Sequence, residues 1–146
     1  MKKKLILVIS LILVASILLL LFWNRSNQVD LTIKNVNADL NGRIIIQTDY
    51  GDQRETIKEI KSGGLTINKE YHSISNYDFK GDCRINLIYR NVNNKNQTVI
   101  VVPYVTHKTS KVELKISLSE ENGFIFADIN SKTPNTNKNF KEKLGD

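Results

Sequence analysis

Residues 112–129 read VELKISLSEENGFIFADI and carry the clearest structural signal in the chain. Over 112–118, apolar side chains alternate with polar ones, which is the pattern of a β-strand with one buried face. The pair Asn122-Gly123 follows, and it favours the tight turn of a β-hairpin. Residues 124–129 then predict the returning strand. The whole stretch therefore predicts an antiparallel hairpin.

Similar segments recur outward from this hairpin. Residues 29–33 and 83–90 alternate in the same way, whereas 43–48 (RIIIQT) and 99–105 (VIVVPYV) are apolar on both faces. Residues 43–48 therefore predict a central strand, while Pro103 cannot donate to a sheet and points 99–105 to an edge or a bulge. The Asn-rich segment 93–96 predicts a hairpin loop. This succession of strands predicts a mainly β fold, namely an antiparallel β-sandwich with immunoglobulin-like layering. The Cys…Trp…Cys signature of true immunoglobulin domains is absent from the sequence.

Residues 53–61 allow two interpretations. Asp52 fits an N-cap, Glu55 completes a capping box three positions later, and Ser62-Gly63-Gly64 fits a helix stop, which together predict one short helix. The same segment also fits an edge strand of an all-β domain, because Ile57 and its neighbours suit a loose strand. The residues alone do not choose between a helix and a strand.

Residues 5–23 (LILVISLILVASILLLLFW) form an uncharged apolar run. As a helix it would span roughly 28 Å, close to the ~30 Å hydrocarbon core of a bilayer. Three lysines precede the run at 2–4, which places the N-terminus in the cytoplasm. A cleaved signal peptide is the alternative, but the run is long for one and a small-residue cleavage site is missing after it. We expect a single-pass signal anchor in the cell membrane, with the lipid bilayer contacting 5–23.

The chain then divides into four parts. They are a cytoplasmic tail at 1–4, the transmembrane helix at 5–23, an extracytoplasmic β-sandwich domain at 24–129 and a disordered polar tail at 130–146. The last part (NSKTPNTNKNFKEKLGD) holds only Phe140 and Leu144 as large apolar residues, which predicts no order.

Composition excludes some classes of function. The formal net charge is +6, but much of it comes from the N-terminal lysines and the polar tail, so the domain is close to neutral and no nucleic-acid partner is expected. A single cysteine, Cys83, allows no internal disulfide. The richness in Asn, Lys and Ile resembles that of proteins from AT-rich bacterial genomes.

A calcium-loop motif is the best candidate for a metal site. Residues 37–42 read NADLNG, in which oxygen donors at Asn37, Asp39 and Asn41 alternate before a glycine. The twelfth position of the motif is Thr48 instead of a bidentate Glu, and one carboxylate binds a divalent ion weakly. We therefore interpret Asn41-Gly42 as a hairpin turn and predict no metal and no cofactor.

No catalytic residue is predicted. Cys83 lies on the apolar face of its strand, where a thiol is inert, and the sequence contains no nucleophile elbow and no phosphate-binding loop. Phe124 and Phe126 share one face, and we expect that face to join the core.

These features predict a membrane-anchored binding or accessory domain that is not an enzyme. Its partner would be a protein, a cell-wall polymer or a peptide. The alternative is an enzyme or metal-dependent module whose site is assembled from residues far apart in the sequence. The candidates for such a site are Asp39, Asp49, Asp52 and His72 or His107.

Overall fold

A computed structural model of the chain describes residues 9–18, 27–61, 63–107, 109 and 111–144. Residues 9–18 are helical. The described ranges also contain nine strands, which are β1 (Asn27–Asn35), β2 (Arg43–Tyr50), β3 (Gln53–Ile60), β4 (Glu70–Tyr77), β5 (Cys83–Arg90), β6 (Asn96–Val105), β7 (Lys111–Glu121), β8 (Phe124–Thr133) and β9 (Thr136–Leu144). The chain is therefore mainly β, as predicted.

The strands form two sheets. One sheet has five strands in the order β4-β1-β7-β8-β9, and the other has four in the order β3-β2-β5-β6. All neighbours are antiparallel except β1 and β7, which run parallel. Apolar side chains of both sheets share one core cluster, so the arrangement fits a β-sandwich.

The burial pattern follows from the position of each strand. In β1 and β7, every second side chain is buried in the core, including Val29, Leu31 and Leu114, and the residues between them face solvent. Strands β2 and β5 lie in the middle of the four-stranded sheet, and both are buried over five consecutive residues. The double-sided apolar run RIIIQT is therefore correctly predicted as a central strand.

The chain direction defines two ends of the sandwich. The entry end holds the start of β1 and the β2–β3, β4–β5, β6–β7 and β8–β9 connections. The far end holds the β1–β2, β3–β4, β5–β6 and β7–β8 connections. At the far end, Asn122 and Gly123 have φ values of 54° and 79°, and Asn94 in the β5–β6 loop has 60°. The hairpins predicted at these two loops are confirmed.

Two predicted segments need correction. The helix alternative for 53–61 is wrong, because Gln53–Ile60 is strand β3 and pairs with β2. The disordered tail at 130–146 is also wrong: β8 continues to Thr133, and Thr136–Leu144 forms β9 on its edge. An edge strand needs little apolar surface, because backbone pairing orders it, and in β9 only Leu144 is fully buried. Residues 145 and 146 lie outside the described residues.

The predicted hairpin turn at Asn41-Gly42 is likewise wrong. Strands β1 and β2 belong to different sheets, so the segment crosses from one sheet to the other. Gly42 is needed there for close approach, since a Cβ atom on it would lie 2.4 Å from the carbonyl oxygen of Arg90.

Asn35 fixes this crossing. Its side chain is fully buried at the end of β1, where Nδ2 donates to the carbonyl oxygens of Ala38 and Leu65, both at 2.9 Å. Its Oδ1 accepts the N–H of Ala38 at 2.8 Å. One amide thus ties the β1–β2 connection to the β3–β4 connection.

The predicted transmembrane helix at 5–23 is described only over 9–18. Among the described residues, no helix has the length and apolarity needed to cross a membrane. Residues 5–8 and 19–23, and the predicted cytoplasmic tail at 1–4, lie outside the described residues.

Candidate binding face

The arginines of the domain lie on one surface. The sequence contains five arginines, of which Arg25 lies outside the described residues. The other four are on the outward-facing side of the four-stranded sheet: Arg43 lies opposite Arg90, and Asp49 lies between Arg54 and Arg84 in the strand register. We call the outward-facing residues of β2, β3, β5 and β6 the arginine face.

The lysines are distributed in the opposite way. The only lysine in β2, β3, β5 or β6 is Lys58, which lies opposite the buried Ile46 and places its Nζ 4.4 Å from the ring centroid of Tyr71 on β4. The outward-facing side of the five-stranded sheet has no arginine among its described residues. Instead it carries six lysines, namely Lys34, Lys111, Lys115, Lys132, Lys141 and Lys143.

The centre of the arginine face is closely packed although it points away from the core. Ile45 and Ile88 are 7% and 5% exposed, and Gln47 and Asn86 beside them are also buried. On the edge strand β6, Ile100 and Tyr104 are 45% and 61% exposed. An apolar centre with exposed aliphatic and aromatic groups and an arginine rim is the usual anatomy of a protein interface.

Neighbouring groups orient the arginine side chains. Arg43 Nη1 is 3.3 Å from Glu59 Oε1, Arg84 Nε is 3.7 Å from Asp49 Oδ2, and Arg90 Nε donates to Asn96 Oδ1 at 2.7 Å. Arg43 and Arg84 remain about half exposed (51% and 48%). The face therefore presents partly neutralised guanidinium groups with donors still available to a partner.

Asn86 lies at the centre of this face with an incompletely used amide. Its Nδ2 donates to Asp49 Oδ2 at 3.4 Å, whereas its buried Oδ1 has no hydrogen-bond partner among the described residues. An unpaired buried carbonyl costs about 1–3 kcal/mol in a free domain.

Two of the three calcium-loop candidates, Asn37 and Asn41, have their side-chain oxygens engaged elsewhere. Asn37 Oδ1 accepts the N–H of Glu120 at 2.8 Å, and Asn41 Oδ1 accepts the Tyr89 hydroxyl at 3.1 Å. The N–H of Asp39 donates to Glu120 Oε2 at 3.2 Å. Within the described ranges, no three His, Cys, Asp or Glu side chains are grouped as metal ligands would be. The NADLNG loop is thus docked onto β5 and β7.

A polar cleft opens beside this loop at the far end. It has a volume of about 340 Å³ and is lined by Asp39, Asn41, Tyr89, Glu120 and Phe124 among others. Burial, and secondarily the Asp39 carboxylate, raise the pKa of the Tyr89 hydroxyl, which stays neutral and hydrogen-bonded to Asn41. The described residues that line the cleft include two carboxylates but no histidine, cysteine or lysine.

The candidates for a dispersed enzyme site lie apart in the structure. Asp39 is at the far end, whereas Asp52 and His107 are in connections at the entry end. Asp49 belongs to the arginine face. His72 lies on the outward-facing side of the other sheet, where its Nε2 is 2.9 Å from Asp30 Oδ1. Asp39 is the only one of these candidates among the described residues that line the polar cleft.

Two other predictions about side chains have opposite outcomes. Cys83 is confirmed as buried, being 5% exposed on the core side of β5, and burial raises the pKa of its thiol to about 11. The prediction that Phe124 and Phe126 join the core is wrong. Both lie opposite outward-facing residues of β7, and Lys143 and Lys141 cover their rings at 3.4 and 4.8 Å from the centroids.

The arginine face was missed at the sequence level. The signal was available, because Arg84, Asn86 and Arg90 alternate with the apolar residues of their strand and so share the outward side. Its extension to Arg43 and Arg54 required knowing which strands are neighbours.

Comparison with known proteins adds no family to this description: no family model, no curated protein and no solved structure matches the chain.

Proposed function

We propose that this chain is a single-pass membrane protein whose β-domain lies outside the cytoplasm and binds a partner protein through the arginine face. The apolar run at 5–23, preceded by three lysines, supports the anchor and its orientation. The two sheets joined by one core support an immunoglobulin-like layering for the displayed domain.

The segregation of arginine from lysine is the observation that carries this proposal. Arginine is enriched and lysine depleted at protein interfaces, because the planar guanidinium binds carboxylates in a bidentate manner and is less strongly hydrated. Ordinary solubility does not require this segregation, since both residues serve it equally. A surface with four arginines and no lysine, opposite a surface with six lysines and no described arginine, fits a binding side and a solvated side.

The composition of the face favours a protein over a wall polymer. A phosphate-rich polymer is best bound by a continuous row of free cations, whereas Arg43 and Arg84 each have a carboxylate neighbour. The exposed side chains of Ile100 and Tyr104 add apolar contact area. A partner surface with apolar and acidic groups complements both features.

Site-specific photocrosslinking in intact cells tests the proposal. A photoreactive phenylalanine analogue at Tyr104 probes the arginine face, and the same analogue at Phe124, which is 40% exposed on the other sheet, is the matched control. We expect one protease-sensitive adduct from position 104 and none from position 124. Replacing Arg90 by Gln should lower the yield of that adduct about tenfold, whereas Lys115→Gln should leave it unchanged.

Three results would contradict protein binding by this face. They are equal adducts from positions 104 and 124, an adduct that resists protease but is degraded by phosphodiester cleavage, and equal effects of Arg90→Gln and Lys115→Gln. The second result would identify an anionic polymer as the partner.

The membrane topology needs a separate test. Protease added to intact protoplasts should degrade the domain after residue 27 and leave only the anchor fragment. Survival of the domain until the membrane is permeabilised would overturn the orientation. A domain released into the medium without its first residues would identify 5–23 as a cleaved signal.

A further inference from the structure

The two sheets have four edge strands, and three of them carry features that block pairing with another chain. Strand β9 carries Lys138, Lys141 and Lys143. Strand β6 contains the exposed Pro103 and is irregular in its pairing with β5. Strand β3 carries four charged residues and shifts register against β2. Charges, prolines and bulges are the usual means of protecting an open edge.

Strand β4 lacks this protection. Its segment Tyr71–Tyr77 contains no Lys, Arg, Asp, Glu or Pro, and it pairs with β1 without a register shift. Ile74, at its centre, points away from the core and is 56% exposed. The segment is therefore a regular, uncharged edge with an apolar residue in the middle.

The sequence of this edge is nearly the same in both directions. Residues 71–77 read YHSISNY, so that Tyr71 mirrors Tyr77 and Ser73 mirrors Ser75 about Ile74. Only His72 and Asn76 differ, and both are polar. A two-fold axis pairs each residue with its mirror position, and such a strand is complementary to a second copy of itself.

The backbone of β4 has the orientation that this pairing needs. The N–H of Asn35 donates to the carbonyl oxygen of Lys69 at 2.8 Å, which continues the register of β1 with β4. Because hydrogen-bonded pairs alternate along an antiparallel ladder, the odd-numbered residues of β4 bond to β1. The N–H and C=O groups of His72, Ile74 and Asn76 therefore point to the open edge.

Side-chain contacts hold this edge in place. Tyr77 donates its hydroxyl to Glu55 Oε2 at 2.8 Å, and the Tyr71 ring lies under Lys58 Nζ, so both tyrosines attach β4 to the other sheet. The strand is thus ordered before any partner arrives, and pairing costs little additional backbone entropy.

We propose that two copies of this chain associate through β4, which pairs antiparallel with β4 of the second copy about Ile74. The register places Ile74 opposite Ile74 of the second copy and Tyr71 opposite Tyr77, and it forms about six backbone hydrogen bonds. No facing pair within residues 71–77 contains a carboxylate or an ammonium group. The next pair, Glu70 with Asp78, brings two carboxylates together and ends the pairing.

Shifting the register by moving the axis to Ser73 or Ser75 would place Ile74 opposite His72 or Asn76. Both alternatives lose the apolar contact at the centre. The two-fold axis is perpendicular to the sheet. When the sheet is parallel to a membrane, the starts of β1 in the two copies therefore lie at the same distance from that membrane. The dimer is therefore compatible with two anchors in one bilayer, where tethering raises the local concentration of a small interface.

Disulfide formation in the full-length chain tests the register. The chain carrying Ile74→Cys is reconstituted in phosphatidylcholine vesicles and oxidised gently. Residues in a facing hydrogen-bonded pair have Cα atoms about 5.5 Å apart, within disulfide reach. We expect a disulfide-linked dimer to form about tenfold faster than with Ile100→Cys, which is exposed on the other sheet. The buried Cys83 should give none in the unsubstituted chain.

A mixture of chains carrying His72→Cys and Asn76→Cys should form the heterodimer faster than either chain alone. Preferential linking of Ile74→Cys to His72→Cys would overturn the register. Equal rates for Ile74→Cys and Ile100→Cys would overturn the dimer.

A substitution without cysteine gives an independent result. Ile74→Lys places two ammonium groups opposite each other and should convert the dimer in vesicles to a monomer, as counted by single-molecule photobleaching. Ile74→Val keeps a β-branched apolar residue and should remain dimeric. A chain that is monomeric without any substitution, or dimeric with Ile74→Lys, would refute the proposal. Capture of a different protein at position 74 in cells, without capture of a second copy of this chain, would also refute the proposal.

Discussion

Arg43 on β2 and Arg90 on β5 lie directly opposite each other on the arginine face. Like charges in facing positions destabilise a sheet by roughly 0.2–1 kcal/mol. The core does not require either residue, because both side chains point outward. Folding alone therefore does not account for this facing pair of arginines.

Replacing Arg43 by Gln should therefore change the free energy of unfolding by less than about 0.5 kcal/mol, because relief of the repulsion offsets the lost pair with Glu59. Urea denaturation of the full chain in detergent measures this. Arg84→Gln is the comparison, since Arg84 faces a carboxylate, and it should be the less stable variant. A loss above about 1 kcal/mol for Arg43→Gln would assign Arg43 a structural role.

Gly42→Ala should destabilise the domain by about 1–3 kcal/mol. The added methyl group would meet the Arg90 carbonyl oxygen at 2.4 Å and the Tyr89 ring at 3.0 Å, so β2 and β5 would have to move apart. Gly81→Ala is the matched control, because a Cβ there meets no atom within 4 Å. Thermal unfolding compares the two variants, and equal melting temperatures would contradict the close approach.

Asn35→Ala should cost about 3 kcal/mol, because three hydrogen bonds of a fully buried amide are lost together. Asn37→Ala, in the same connection, should cost below about 1 kcal/mol, since its two bonds to Glu120 are exposed. Urea midpoints of both variants test this difference. The reverse order would show that the exposed part of the loop holds the crossing.

Cys83 should be unreactive in the folded chain. With a pKa of about 11, its thiolate fraction at pH 8 is on the order of one in a thousand, and the side chain is also inaccessible. A thiol-disulfide reagent should label it at least about 100-fold more slowly in buffer than in urea. Rapid labelling without denaturant would contradict the burial.

The same thiol makes the free energy of unfolding depend on pH in the alkaline range. The folded-state pKa of Cys83 is raised from 9.0 to about 11, so the unfolded chain loses its proton first as the pH rises. The stabilisation is fully present below pH 9 and is lost between pH 9 and pH 11, by on the order of 2–3 kcal/mol. The difference in stability between the unsubstituted chain and Cys83→Ala should narrow over this interval. A constant difference would show that the thiol does not titrate there.

Strand positions were predictable because alternation depends on local residue types. The residue pattern of a strand shows which of its faces is buried, as it does in 112–118, 43–48 and 83–90. The turn at Asn122-Gly123 needs only residues that accept positive φ. The tail was not predictable in this way. Strand β9 is ordered by backbone hydrogen bonds to β8. Its own sequence has few apolar residues and so does not indicate that a neighbouring strand is present.

The arginine face was likewise not predictable from local residue types. Each arginine is visible in the sequence, but the face exists only because β2 and β5 are neighbours and β1 lies in the other sheet. Asn41-Gly42 illustrates this most directly. The pair has the composition of a hairpin turn, and yet its glycine is required by the carbonyl of Arg90, which is remote in sequence.

The parallel pairing of β1 with β7 has a consequence for how the protein is made. Strand β1 is the first strand to be synthesised. It lies between β4 and β7 in the sheet, so its second neighbour is missing until Lys111–Glu121 has emerged. Pairing across so long a stretch of chain is slow because loop closure precedes any stabilising contact. The newly made chain can pair β1 with β4 early, but the other edge of β1 stays open until β7 is made, and this interval is when we expect the chain to depend most on chaperones.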